Sequence, residues 1–386
     1  MRIGVFSDSY KPYLSGVVKS IESFSYQLRK KGHQVYIFAP DYPEAEKKKD
    51  VFRFRSLPVP TNDDFRLAIP ISSHIIQQVK KLELDIIHTH SPFMMGWLGR
   101  HVAQKLSLPL VFTYHTLYGE YAHYAPFAKG LARKLVVKYS RDYCQTCDIV
   151  ITPTEFVKKR LLSYGITTPV RTIPTGISLE PYQASNGKDI RERYKDSADE
   201  KLLLFVGRLG QEKNVELLIK SFKVVRENLS KCKLLIIGDG PERKKLARMS
   251  RKLLVDDYVV FTGQLSYDKV IDYYCGCDLF VFPSVTETQG LVILEAMAGG
   301  MPVTAINAAG SSIMVDNNIN GILTKDDYYL FANGIIDILT DEEKYKYLKE
   351  NALKKAADLS MDKMADRLIA SYQEALSQQR AKKSLA

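Results

Sequence analysis

Cysteine is scarce in this chain: five residues in 386, an odd number. That count argues against a disulfide framework and suits thiols held reduced. Cys144 and Cys147 form a CxxC, and Cys275 and Cys277 a CxC. The CxC spacing is wrong for a zinc knuckle and neither pair has the flanking turn residues such a site needs, so ordinary buried thiols are expected. Long apolar runs are missing too. No stretch approaches the roughly 18 apolar residues of a membrane span. The first run, Ile3 to Phe6, is too short for a secretory segment and reads as a buried strand. A cytosolic protein is expected, or one attached to a membrane without crossing it. Asp-x-Asp occurs nowhere, which removes one common acidic clamp for a divalent metal. His88 and His90, in "IIHTHSP", have no carboxylate at ligand spacing and give only a weak metal signal. A structural or cleft-lining role suits them as well as a chemical one.

What is present is the composition of a folded globular protein, 45% apolar and 26% charged. The length suits two domains of roughly 150 to 200 residues. The net charge of +11 is unevenly placed. Met1 to Thr175 hold 25 lysines and arginines against 14 acidic residues, while the remainder holds 30 of each. All the excess positive charge lies in the first half.

Short β-rich apolar runs alternate with helical patterns twice over. "MRIGVFSD", "GHQVYIFAP", "LDIIHTH", "LPLVFTYH" and "DIVITPT" are the strands of the first series; "KLLLFVGRL", "CKLLIIGDG", "YVVFTG", "CDLFVFPS" and "MPVTAI" are those of the second. Such alternation predicts an α/β protein of two doubly wound, Rossmann-like parallel-sheet domains. The boundary is expected in the polar stretch around residues 172 to 200, giving an N-terminal domain over 1–180 and a second over 181–360. In sheets of this kind ligands bind beyond the carboxyl ends of the strands.

Four strand ends of the second half carry notable residues. Arg208 and Lys213 lie in "GRLGQEKN", followed by "DGPE", "TETQG" and "NAAG" at the next three. Two cations at one strand end, with a glycine-opened helix at another end of the same sheet, suit a diphosphate. Gly290 precedes an apolar-periodic helix expected over Leu291 to Ala298, whose free amides and positive dipole end favour the same anion. Glu287 and Glu295 stand eight positions apart around that glycine. Helical rise puts their backbones about 10 Å apart. A retaining hydrolase pair would want its carboxylates roughly 5 Å apart, so these two are expected to bind hydroxyls at the two ends of a nucleotide sugar.

"VGRLGQEKN", "IIGDGPE" and "PSVTETQGLVILEAMAGGMPV" resemble the retaining nucleotide-sugar glycosyltransferases of GT-B fold, family 4. The resemblance covers nearly the whole chain. It implies two Rossmann-like domains facing across a cleft, with a C-terminal helix, residues 361–386, crossing back onto the first domain. By position, Arg208 and Lys213 would hold the diphosphate, Glu295 the ribose hydroxyls and Glu287 the sugar hydroxyls, with the amides of Gly290 and Leu291 supporting the phosphates. Gly16, in the loop after the first strand, would let backbone approach the donor, and His115 would stand by the reacting sugar carbon. No metal or other cofactor is implied, and retention would proceed without a covalent intermediate. Gln289 stands where many members have Phe, and Thr175 where many have Asn.

The combination of "SDSYKPYLSGVVKSI" with "TETQGL" is similar to the branch that glycosylates diacylglycerol in bacterial membranes. It implies glucose transfer from UDP-glucose to the free hydroxyl of diacylglycerol, with an α linkage, at the inner face of the cell membrane. Lys129, Arg133, Lys134, Lys138 and Arg141 lie mostly on one side of a helical pattern, and about 1 kcal/mol per cation suits anionic lipid heads. Another donor sugar, a soluble acceptor or a sugar-nucleotide epimerase are the alternatives. Nucleic acid is disfavoured, because no module that binds it is recognisable.

Overall fold

A computed structural model describes residues 1–13, 15–59, 62–70, 75–115, 129–285, 289–308 and 310–384. Residues 62–64 and 129–133 are described by their backbone alone. The chain divides into two compact units: Met1–Gly176 with Met361–Ala386, and Ile177–Ser360. The division at Gly176 falls slightly before the residue 180 read from the sequence.

In the first unit the order is β1 (Arg2–Phe6), α1 (Gly16–Lys30), β2 (Gln34–Pro40), β3 (Val51–Phe54), β4 (Ser56–Val59), β5 (Asn62–Ala68) and α2 (Ile75–Lys81). It continues through β6 (Ile86–Thr89), α3 (Met94–Leu106), β7 (Leu110–Thr113), α4 (Lys129–Cys144), β8 (Ile149–Thr152), α5 (Glu155–Ser163) and β9 (Val170–Thr172). Its main sheet is parallel, in the order β3-β2-β1-β6-β7-β8-β9, with β4 and β5 a separate antiparallel pair.

The second unit runs α6 (Glu180–Ala184), α7 (Lys188–Tyr194), β10 (Lys201–Val206), α8 (Val215–Asn228), β11 (Cys232–Ile237), α9 (Arg243–Lys252), β12 (Val259–Gly263) and α10 (Tyr267–Gly276). Then come β13 (Leu279–Phe282), α11 (Leu291–Ala298), β14 (Val303–Ile306), α12 (Ser311–Met314), β15 (Gly321–Thr324), α13 (Tyr328–Thr340) and α14 (Glu342–Asp358). Its parallel sheet has the order β12-β11-β10-β13-β14-β15.

Both sheets therefore reverse direction beside their first strand, between β1 and β6 and between β10 and β13. That reversal opens the crevice where such sheets take ligands. The strands read as near-continuous apolar runs because helices cover both faces. Leu202 to Phe205 of β10 and Leu279 to Val281 of β13 are fully buried, each such side chain contributing about 1.5–3 kcal/mol.

The last helix, α15 (Met361–Ser384), returns to the first unit. Met364, Leu368, Tyr372 and Ala375 form its buried stripe. Lys31, just past α1, pairs with Asp362 and Asp366 at 2.8 Å each, and Gln27 donates to Asp362 at 2.9 Å. Among the described residues no helix is long and apolar enough to cross a membrane. All five cysteines are free thiols, four buried and Cys275 half-buried.

Candidate active site

In the second unit three loops meet at the carboxyl ends of β11, β10 and β13. Glycine lets the first two stack. A Cβ on Gly238 would lie 1.9 Å from the Gly207 carbonyl oxygen, and Gly238 has φ +133°, so a side chain is excluded twice over. A Cβ on Gly240 would lie 2.5 Å from the Leu209 carbonyl oxygen. The contact is fastened by Leu209 N–H to Asp239 O and Glu242 N–H to Leu209 O, both 3.0 Å. Arg208, between those glycine contacts, is exposed.

Lys213 ends the short 3-10 turn Gln211–Lys213 and is half-buried, its N–H donating to Gly210 O at 3.1 Å. Asn214 then takes a left-handed conformation and opens α8. The Ser284 hydroxyl, just past β13, donates to the Glu212 carbonyl oxygen at 3.5 Å. The turn bearing Lys213 thus lies against Ser284, just past the end of β13.

Gly290 has φ +69° and precedes α11, the helix Leu291–Ala298 expected from the sequence. A Cβ there would come within 3.3 Å of the Gly310 carbonyl oxygen, so the glycine is needed for both conformation and closeness to the β14 loop. Glu287 lies outside the described residues, and so does any measure of its separation from Glu295. Glu295 is buried and has a partner within its own unit: Tyr274 Oη donates to it at 3.0 Å. Tyr267 also bonds to this carboxylate, and Tyr182 joins Tyr267 at 3.1 Å. Burial, then the nearby carboxylate, pushes the Tyr267 and Tyr274 phenols up, so both remain protonated donors. The tyrosines were not legible as partners in the sequence, since α6 and α10 supply them from far along the chain.

A cavity of about 460 Å³ opens beside the same loops. Glu216, Glu242, Asp326 and Asp327 line it with one cation, Lys220, while Arg208 and Glu295 do not. That mostly acidic lining disfavours an anion.

In the first unit the crevice between β1 and β6 carries a carboxylate that sequence reasoning missed. Asp8 is buried, accepts from the Ser91 hydroxyl, and accepts the Met95 N–H at 3.0 Å, tying β1 to the start of α3. Burial raises its pKa, opposed by those hydrogen bonds. Its signal was the "SD" that follows the first strand. Gly16 differs from expectation: it is the first residue of α1, capped by the Ser15 hydroxyl, and not part of a loop. A Cβ on it would meet nothing within 4 Å, so the fold of this unit does not require glycine there.

Three histidines converge at the ends of β6 and β7. His88 Nδ1 lies 2.7 Å from Tyr372 Oη of α15, and its Nε2 lies 2.7 Å from Thr113 Oγ1. His90 Nδ1 and His115 Nε2 are 2.9 Å apart, so only one of those two nitrogens carries a proton. The His88 and His90 rings lie 4.2 Å apart, centroid to centroid. Burial lowers all three, His88 to about 3 and His115 to about 4, which leaves them neutral at pH 7. His115 and His88 share a narrow cavity with Ser20, Thr113 and Thr175, and Thr175 donates to Ser20 at 3.1 Å. His88 thus has a structural place beneath the site, whereas His90 is the direct partner of His115. Among the described residues no group of three or more His, Cys, Asp or Glu is placed to hold a metal ion.

Of the basic helix, the side chains of Lys129 and Arg133 lie outside the described residues, although the backbone there belongs to α4. Lys134 and Lys138 are exposed and Arg141 is half-buried.

Comparison with known proteins agrees with this geometry. The model for Glycosyltransferase Family 4 matches residues 14–181, and that for Glycosyl transferases group 1 matches 187–355. The chain is 34% identical to the alpha-monoglucosyldiacylglycerol synthase of Streptococcus pneumoniae, covering 94% of this chain and 86% of that one. It is 31% identical to the synthase of the same name from Acholeplasma laidlawii, over 91% and 92%. The crystal structure of Anabaena HepE in complex with UDP shares the fold, with a TM-score of 0.77 at 19% identity over 97% of this chain and 100% of that one. With two Rossmann-like parallel sheets that each have a switch point beside their first strand, two family matches that together span most of its length, and relatives above 30% identity, the chain belongs to the family 4 (group 1) glycosyltransferases of GT-B fold, enzymes of hexosyltransferase type.

Proposed function

We propose that this enzyme transfers glucose from UDP-glucose to the free hydroxyl of diacylglycerol at an anionic membrane surface, with retention and without a metal. The observation that carries the donor half is that the loop bearing Arg208 and Lys213 and the glycine-opened helix α11 follow the adjacent strands β10 and β13 at the switch point, their loops joined by the Ser284–Glu212 hydrogen bond. In this reading Arg208, Lys213 and the amides of Gly290 and Leu291 neutralise the departing diphosphate, which is stabilisation where charge develops. Glu295, held in place by Tyr274, takes the ribose hydroxyls, and Glu287 takes those of the sugar.

As the anomeric carbon–oxygen bond to the diphosphate breaks, the acceptor oxygen bonds to the same face of that carbon. Its proton passes to the leaving diphosphate oxygen. His115, neutral at pH 7, hydrogen-bonds hydroxyls and adds no charge. The diacylglycerol acceptor is supported by the two synthases named above and by the basic face of α4; an epimerase would need neither a lipid nor that face.

Mass spectrometry of lipid products tests the reading, with diacylglycerol and UDP-glucose, UDP-galactose or GDP-mannose supplied in turn, with and without anionic vesicles. Hexosyl-diacylglycerol from UDP-glucose alone, increased by anionic lipid, is expected. Product from another donor would replace the sugar. Free nucleotide without lipid product would move the acceptor to a soluble molecule, and a converted donor with neither would make the enzyme an epimerase.

A further inference from the structure

The first unit exposes three large apolar side chains at the start of α3 and a fourth on α4, the helix packed beside them through Tyr139. Phe93, Met94 and Trp97 at the start of α3 are 44%, 41% and 44% exposed, and Leu135 on α4 is 58% exposed. Tyr139, one turn beyond Leu135, joins them. The Trp97 indole N–H donates to Tyr139 Oη at 2.7 Å, Tyr139 donates to the Pro92 carbonyl, and the Phe93 ring centroid lies 6.3 Å from that of Tyr139. The opposite face of α3 is core, with Met95, Leu98 and Val102 buried. The outward face is therefore a preset apolar surface. It is no accident of a loosely packed helix.

Its border is cationic. The Arg100 guanidinium lies 4.6 Å over the Trp97 ring, and Lys134 and Lys138 are exposed on either side of Leu135 along α4. The α4 segment carries five cations and one acid, Asp142. Indole and phenol rings with one polar tip and an apolar body favour the boundary between lipid headgroups and acyl chains. Apolar insertion and attraction to anionic lipid act together in such anchors. A second copy of this unit would set like charges against each other, which argues against self-association.

We propose that Phe93, Met94, Trp97 and Leu135 form an interfacial anchor that inserts below the headgroups of an anionic bilayer, with the α4 cations lying above it. The anchor rests on the membrane reading under Proposed function and adds an apolar term that salt does not screen. Charge alone would leave these side chains in water.

Trp97 is the one tryptophan of the chain, so its fluorescence reports this surface directly. With phosphatidylglycerol vesicles a blue shift is expected, together with quenching by lipids brominated near the headgroup end of the acyl chain, both persisting in 1 M salt once bound. Phe93→Ser combined with Met94→Ser keeps the reporter and should weaken vesicle partition about tenfold. Far-UV circular dichroism and melting check that this variant folds.

Co-sedimentation with vesicles without any change in Trp97 emission would overturn the anchor, since another face would be bound. A shift abolished by salt would also overturn it, leaving only a charged surface, and so would failure to bind phosphatidylglycerol at all. Calorimetric titration of UDP-glucose without lipid reports the donor reading separately. Loss of that binding alongside an intact Trp97 shift would break the proposed reaction and leave the anchor standing.

Discussion

The two units share one strand order and use it in opposite ways. With α15 counted in, the first unit holds 30 lysines and arginines against 17 acids, a net of +13, and the second holds 25 against 27, a net of −2. In the second unit backbone and glycine shape the site, and its cations stand at loop positions. In the first unit the corresponding strand ends carry buried, uncharged histidines, and the charge is set on α4 at the surface. Sheet topology fixes where a site can form, while the residues at the strand ends decide what it binds. The more negative unit is the one proposed to hold the anionic donor, because local donors outweigh net charge at contact distance.

The largest effect that would break this contrast is on transfer. Arg208→Ala or Lys213→Ala should lower kcat about 10²–10³-fold with little change in melting temperature; full activity in either variant would remove the diphosphate role. Gly238→Ala comes next, and should destabilise the second unit by about 3 kcal/mol in a denaturant titration, because the new Cβ meets Gly207 O on a backbone that resists any side chain.

Neutralising Lys134 and Lys138 together should cost about 2 kcal/mol of vesicle binding at low salt, and less at high salt. Salt-independent loss would show that these lysines act through packing and not through charge. The first unit should also be sensitive to acid. His88 has a folded-state pKa of about 3 against an ordinary value of 6.5. Between those values the unfolded chain takes up a proton that the folded chain does not. Stability is therefore expected to fall as pH drops below about 6.5, by about 1.4 kcal/mol per pH unit for this group. His88→Gln should flatten that slope in pH-dependent melting curves; an unchanged slope would point to other groups.

Gly16→Ala is the smallest stability change, within about 0.5 kcal/mol. A fall in activity there without a fall in stability would support approach of the donor to this backbone, and unchanged activity would remove it.

The fold was largely legible in the sequence. The apolar runs and their alternation with helices gave both parallel sheets, and the α11 limits Leu291 and Ala298 follow from a glycine and an apolar period. Residues close in sequence, such as Arg208 and Lys213, could be grouped at one strand end. Gly16 was misread as loop because a glycine after a strand signals a turn, while the Ser15 cap that starts the helix there is a weaker local cue.

Sequence alone determined the two sheets, the strand-end loops and the side of the chain that carries the positive charge, because periodicity and composition are local properties. Only the tertiary structure decided that Tyr274 holds Glu295, that His90 shares a proton with His115, that Tyr372 returns on the last helix to reach His88, and that Trp97 donates to Tyr139. Those pairs are separated by tens to hundreds of residues, and packing, which joins distant segments at fixed distances, leaves no periodic trace in the chain.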